Sequence, residues 1–278
     1  TNWVLLNSNS ADKLNSCHFT TVTDGLIVGN NGTSLQSSVS GIINNTSSSK
    51  TKNHLYHVTY SGSNYMIAGQ KHTLVQTATG GSGTYSLISV PGNTTETING
   101  LSTNGTSYVL FGQSGYNLKY NGTGWVNVYK HPSGLSSVHI NKNNGYGMMV
   151  GDNGTTLYTA DKGYIWNWNK PQGTTLANMP RFTGVAVWDN QNIYTSGIAD
   201  VALKYTNLQC TASVSYATSG PTNWYDVQIG EDNKGYIGGN GRYAYFIAPA
   251  SSSTNGSNTG TPVAYSINSI SIVSGQAF

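Results

Sequence analysis

Six short apolar runs recur along the chain. Each ends in glycine and leads through a polar turn into a strand of alternating residues. They read GLIVGNNGTSLQ, NYMIAGQKHTLVQ, SYVLFGQSGYNLKY, GYGMMVGDNGTTLYT, NIYTSGIADVALKY and GYIGGNGRYAYF. The marker glycines are Gly29, Gly69, Gly112, Gly151, Gly197 and Gly238, separated by 40, 43, 39, 46 and 41 residues. Before each run lies a stretch such as LYHVTY, LSSVHI or WYDVQI, whose apolar and polar positions alternate as in a half-buried strand. After it comes a more variable strand, often aromatic, such as GWVNVY around Trp125 or YIWNW around Trp166. The pattern predicts a unit of four antiparallel strands, A to D, with Gly and Asn-Gly supplying the positive φ values of the B–C hairpin.

A period near 40 with this content is the signature of propeller blades. The chain is therefore expected to be all-β, a single β-propeller domain over 1–278. Its repeat units fall at about 17–54, 55–97, 98–134, 135–181, 182–223 and 224–266. INSISIVSGQAF, from Ile267 to Phe278, matches strand A and the start of strand B, while NWVLLN at the other end resembles GWVNVY, with Trp3 in the place of Trp125. The termini are expected to share a seventh blade, 267–278 plus 1–10, which removes exposed sheet edges. Six complete blades with stray ends is the alternative, and a segment cut from a longer protein would also explain the ends.

Composition narrows the picture. Charged residues make up 8% of the chain and hydrophobic residues 37%, a balance that argues against disorder. The net charge is +3 with only two arginines, Arg181 and Arg242, too few for a nucleic-acid surface. No apolar run is long enough to span a membrane. The chain starts at Thr1 without Met or a signal peptide, and with its Asn, Ser, Thr and Gly content this suggests a secreted or cell-surface protein, the periplasm included. Cys17 and Cys210 fall in non-neighbouring units, too distant for a bridge, and are expected as unbridged, buried small hydrophobes. The Asn-x-Ser/Thr triplets are no more than this composition supplies.

The fourth unit adds TADKGYIW, with the spacing of an Asp box. VGDNGTTLYTADKG resembles the Ycf48-like repeat of photosystem assembly factors, within the wider BNR/Asp-box propeller group. That resemblance implies a propeller and leaves function open. Sialidases of the wider group would imply three arginines gripping a carboxylate, a grip lysine fills poorly, and three cannot be assembled from two. Other glycosidases need a pair of carboxylates, yet the ten acidic residues fall mostly in turns. The box is expected to be a structural staple: Asp161 accepting backbone N–H bonds, Gly163 allowing the bend, Trp166 packing beneath. No enzyme and no cofactor are expected.

Two constellations could bind a ligand. Aligning the A strands on their central apolar residue puts His18, His57, Gly100, Ser137, Gly184, Asp226 and Ser269 in one column at the channel. His18, His57, Asp226 and Ser269 would then come from consecutive blades and form a ligand site at the channel mouth, with a divalent metal left open. Polar channel residues bonded to water or backbone are the plainer alternative. His54 and His72 fall at no useful spacing. Among the aromatics, only one of Trp166 and Trp168 can be core, and Trp188 sits at an A–B turn. Trp168 and Trp188 are candidates for stacking on a sugar, although most aromatics should pack between blades. The expected function is a binding module for a glycan or a surface protein, of adhesin or lectin type. A self-associating structural subunit of an extracellular assembly, or an assembly factor, is the alternative, and a glycoside hydrolase the remote one.

Overall fold

The computed structural model describes residues 8–37, 43–45, 49–78, 85–92, 94–103, 107–128, 133–169, 180–199, 201–210, 213–215, 223–230, 232–241, 243–247, 266–273 and 276–277. The strand expected at Trp3, together with Arg242, lies outside these residues. The described chain is all β apart from short turns, in successive antiparallel sheets whose strands are paired in chain order. Units one to five each contribute four strands, and three strands of unit six are described. Unit four is representative: A at Leu135–Ile140, B at Gly147–Gly151, C at Thr156–Thr159 and D at Asn167–Asn169.

The B strands are buried along most of their length, and Tyr65–Gly69 and Gly147–Gly151 throughout, because neighbouring sheets cover both faces. Each apolar cluster accordingly draws on two adjacent units, such as Leu26 and Val28 with Val58 and Ile67. The A strands pack on one another in chain order, Leu14–Phe19 on Leu55–Tyr60 and so on to Trp224–Ile229. Residues 266–273 then bridge the sixth unit and the first. The Ile270 N–H donates to Asp226 Oδ2 at 2.8 Å, the Phe19 N–H to Ser271 Oγ at 2.9 Å, and Asn268 Nδ2 to the Leu14 carbonyl at 3.2 Å. Beyond them Ile272–Val273 pairs with Gln276–Ala277.

The register explains the marker glycines. The last residue of each B strand lies opposite the first residue of its A strand, and a Cβ there would collide with the carbonyl just before strand A. Gly29 faces Lys13, Gly69 faces His54, and Gly151 faces Gly134 in this way. The next N–H along donates to the same carbonyl, for example Gln70 to His54 at 2.8 Å and Asp152 to Gly134 at 2.9 Å. In unit six the residue in this role is Gly239, opposite Trp224, one place beyond the expected Gly238.

Every A strand also slips register just after its first residue. The residues passed over are Asn15, Tyr56, Asn99, Ser136, Thr183 and Tyr225. A bulge re-aims the side chain it carries. Three of these side chains reach the first carbonyl of the next A strand: Asn15 to Leu55 and Asn99 to Leu135, both at 2.8 Å, and Thr183 to Trp224 at 2.6 Å.

Candidate functional site

A basin of about 810 Å³ opens on the face where the A strands begin, across units two to four. Its floor carries the bulged residues Tyr56, Asn99 and Ser136, which no strand-pattern reading would aim there. Its rim comes from the B–C turns, through Gln70, Lys71 and Gln113. The connection between units two and three adds Thr94, Thr95 and Thr97, and Arg181 completes the lining. Hydroxyls, amides, one phenol and two cations face the space. Arg181 Nε donates to Ser136 Oγ at 3.1 Å and pairs with Asp152 at 3.2 Å; both charged side chains are about half exposed, so water screens the pair. Lys71 makes no ion pair among the described residues.

The Lys71 side of the rim departs from the other hairpins. In units one, three and four the two central turn residues are Asn31-Gly32, Ser114-Gly115 and Asn153-Gly154, all with positive φ. Unit two places Lys71 (φ 52°) and His72 (φ 59°) in the same two positions. His72 is buried, its N–H donates to the Glu96 carbonyl at 2.6 Å, and its Nε2 meets the Tyr116 hydroxyl at 2.7 Å. Partial burial lowers the His72 pKa, and the nearby Glu96 opposes that shift.

The inner column is differently arranged. The pairing of Leu14–Phe19 with strand B puts Ser16 level with His57 and Asp226, so His18 lies two residues beyond the column it was assigned to. Cys17, not Phe19, is the central residue of that strand, paired with Ile27 as Val58 is with Ile67. The polar side chains of this wall mostly serve the inner strands themselves. Ser16 Oγ accepts the Val58 N–H at 3.2 Å, and His139 Nδ1 accepts the Val187 N–H at 2.8 Å. Asp226 accepts from Val227 and Ile270, each at 2.8 Å, and Ser269 is a further partner. The bonds to Val58, Val187 and Ile270 each satisfy a backbone N–H on the inner edge of the neighbouring unit, a group no ladder could reach.

His57 is the exception, its Nδ1 buried with no hydrogen-bond partner among the described residues. Burial pushes His18, His57 and His139 down to about 4, with His18 adding to the shift at His57. Burial likewise pushes Asp226 up to about 7 and Cys17 up to about 12, against the bonds each receives. No group of three or more His, Cys, Asp or Glu among the described residues could hold a metal ion. Neither cysteine is disulfide-bonded; Cys210 is buried and Cys17 half-buried in this wall.

At the Asp box, Asp161 Oδ1 accepts from the Thr159 hydroxyl at 2.7 Å and from the Tyr164 and Ile165 N–H groups at 2.9 Å. Partial burial would raise its pKa, but these bonds and the nearby Lys119 hold it below the ordinary carboxylate value. Gly163 (φ 81°) makes the bend and Trp166 is buried beneath it, as expected. Trp168, on strand D, is 49% exposed. Trp188 is half-buried at the A–B turn of unit five, where its carbonyl accepts from Asn141 at 2.6 Å and Asn144 at 2.9 Å. The two indoles occupy the outer strand of one sheet and the inner turn of the next, and so form no common platform.

No family model and no curated protein matches the chain. Solved structures do. The WD40 propeller domain of Doa1 is similar at 12% identity, over 96% of this chain and 88% of that one, with a TM-score of 0.75. YCF48 from Cyanidioschyzon merolae is similar at 15% identity over 84% and 81%, with a TM-score of 0.61. A YCF48 bound to D1 peptide is similar at 14% identity over 90% and 81%, with a TM-score of 0.65. The fold is a β-propeller. Likeness at these identities carries the architecture and nothing of the chemistry, and the Asp-box family is not shown by it. No helix among the described residues is long and apolar enough to cross a membrane.

Proposed function

We propose that this propeller is a non-enzymatic binding module that takes an extended segment of another protein across the basin at Tyr56, Asn99 and Ser136. The observation that carries this reading is the lining. Amides and hydroxyls suit the alternating N–H and C=O groups of a peptide main chain, and Tyr56 offers a flat apolar surface. A basin of this size lies within the range of specific ligand sites. Lys71 and Arg181 favour a segment carrying a carboxylate. That a similarly folded protein was solved with a peptide bound supports the choice of a protein partner over a glycan. In this reading the ring has seven blades, the last built from both termini, and the protein works outside the cell or on its surface.

The test is selection of displayed random 12-residue peptides on the wild-type protein, followed by affinity measurements on the best binder. Arg181→Met, which keeps most of the stem and removes the charge, should weaken binding about tenfold, the weight of one charge-assisted contact. Selection that returns no specific peptide, or affinities unchanged by both Arg181→Met and Lys71→Met, would rule the basin out.

A further inference from the structure

Two departures from the repeat meet at one wall of the basin. Where units one, three and four place glycine second in the B–C turn, unit two has His72 in the left-handed region, at φ 59°. A hairpin of this kind strongly favours Asn-Gly, and a side chain at that φ strains the backbone. The residue after the turn is Thr33, Thr73 and Thr155 in units one, two and four, but Tyr116 in unit three. The two unusual residues bond to each other across the boundary between units, and the Tyr116 hydroxyl donates in turn to the Pro91 carbonyl.

The connection they hold is shaped to receive them. Gly92 has φ 123°, and a Cβ there would press on His72 Cε1 and on the Tyr116 ring at 3.1 Å. Two backbone bonds fix the far side of the segment, His72 N–H to the Glu96 carbonyl at 2.6 Å and Gln113 N–H to the Thr97 carbonyl at 3.1 Å. Thr94 and Thr95 lie between Gly92 and these anchors, Thr97 is itself one of them, and all three threonines face the basin. Strain retained at one hairpin, with its side chain braced against the wall of a cavity, points to use of that cavity.

We infer that His72 and Tyr116 form a strut that holds the threonine wall of the basin in place, which makes His72 a positioning residue for the bound segment. Because Tyr116 donates to Pro91, His72 must donate through Nε2, and a side chain able to donate from the same place can substitute for it. The inference rests on the peptide-binding reading for its consequence, but the strut has its own readout.

The variants are His72→Gly, His72→Gln and Tyr116→Phe, each made in the full chain. His72→Gly restores the residue that three other units use, so its melting temperature should stay within about 3 °C of wild type. Deuterium exchange at residues 94–97 should nevertheless accelerate in His72→Gly and in Tyr116→Phe. Affinity for the peptide selected on the wild-type protein should fall at least about tenfold in both. His72→Gln should recover most of that affinity. If the exchange and the affinity of His72→Gly match wild type, or if its losses appear only together with a large fall in melting temperature, the strut is wrong. If wild type selects no peptide while the exchange at 94–97 still accelerates, the strut stands and the peptide reading fails.

Discussion

The turn at Asp161 and the turn at Lys71-His72 both hold non-glycine residues in the left-handed region, Lys162 in the first and two in the second. Their polar groups point in different directions. Around Asp161, the hydroxyl of Thr159 and the N–H groups of Gly163, Tyr164 and Ile165 are satisfied within the turn itself. Around His72, the bonds run out to Glu96 and Tyr116, while Lys71 faces the basin. A turn whose carboxylate caps its own backbone stabilises its own sheet, even where Lys119 of the preceding unit also reaches the Lys162 carbonyl at 3.4 Å. One that reaches across a unit boundary shapes a surface. The inner wall reaches across unit boundaries too, but Ser16, His139, Asp226 and Ser271 each spend the bond on a backbone N–H of the neighbouring unit and so join the sheets.

The largest effect should come from breaking the closed turn. Asp161→Ala leaves two backbone N–H groups and a hydroxyl without their acceptor, a loss of about 2–3 kcal/mol. The melting temperature should drop by roughly 5–10 °C, with peptide affinity unchanged. A normal melting temperature with lost affinity would put the box in the binding site and erase the contrast.

Next in size is the pH dependence of the inner wall. In the unfolded chain an imidazole takes up its proton near 6.5, but His18, His57 and His139 do so in the fold only near 4. Their stabilisation is present above 6.5 and is lost as pH falls towards 4. Asp226 runs the other way: its folded pKa of about 7 exceeds the ordinary 3.8, so its contribution declines as pH rises across that window. Three groups oppose one, and urea midpoints should peak near neutrality and fall on the acid side. Asp226→Asn should steepen the acid-side fall. Midpoints that stay level from pH 7 to pH 5 would mean that the three imidazoles are not held neutral by burial.

The smallest effect is expected at Trp168. It is 49% exposed, so Trp168→Ala should change stability by no more than about 0.5 kcal/mol and leave peptide affinity alone. Lost binding on a glycan array in this variant would instead restore the sugar reading of that indole.

Much of the fold was legible because its signals are local. The B strands announce themselves as apolar runs, and Asn31-Gly32 and Asn153-Gly154 declare their hairpins through the φ values they tolerate. The Asp box was legible for the same reason, since Thr159, Asp161 and Gly163 act on one another within a few residues. The inner column was read correctly at His57, Ser137 and Asp226 and incorrectly at His18, because an A strand with a bulge offers more than one apolar residue to align on. The basin was not legible. Tyr56, Asn99 and Ser136 look like ordinary strand residues until the bulge turns them, and the His72 side chain finds its hydrogen-bond partner, Tyr116, in the next unit.

By itself, then, the sequence determined the repeat, the strand order within each unit and the turns between strands, all of which depend on neighbours along the chain. Only the tertiary structure decided which side chains distant along the chain face one another. Arg181 meets Ser136 and Asp152, and His72 meets Tyr116 forty-four residues away, through the angle at which one sheet packs on the next. That angle is set by the summed packing of buried B strands, a property no single stretch of the chain encodes.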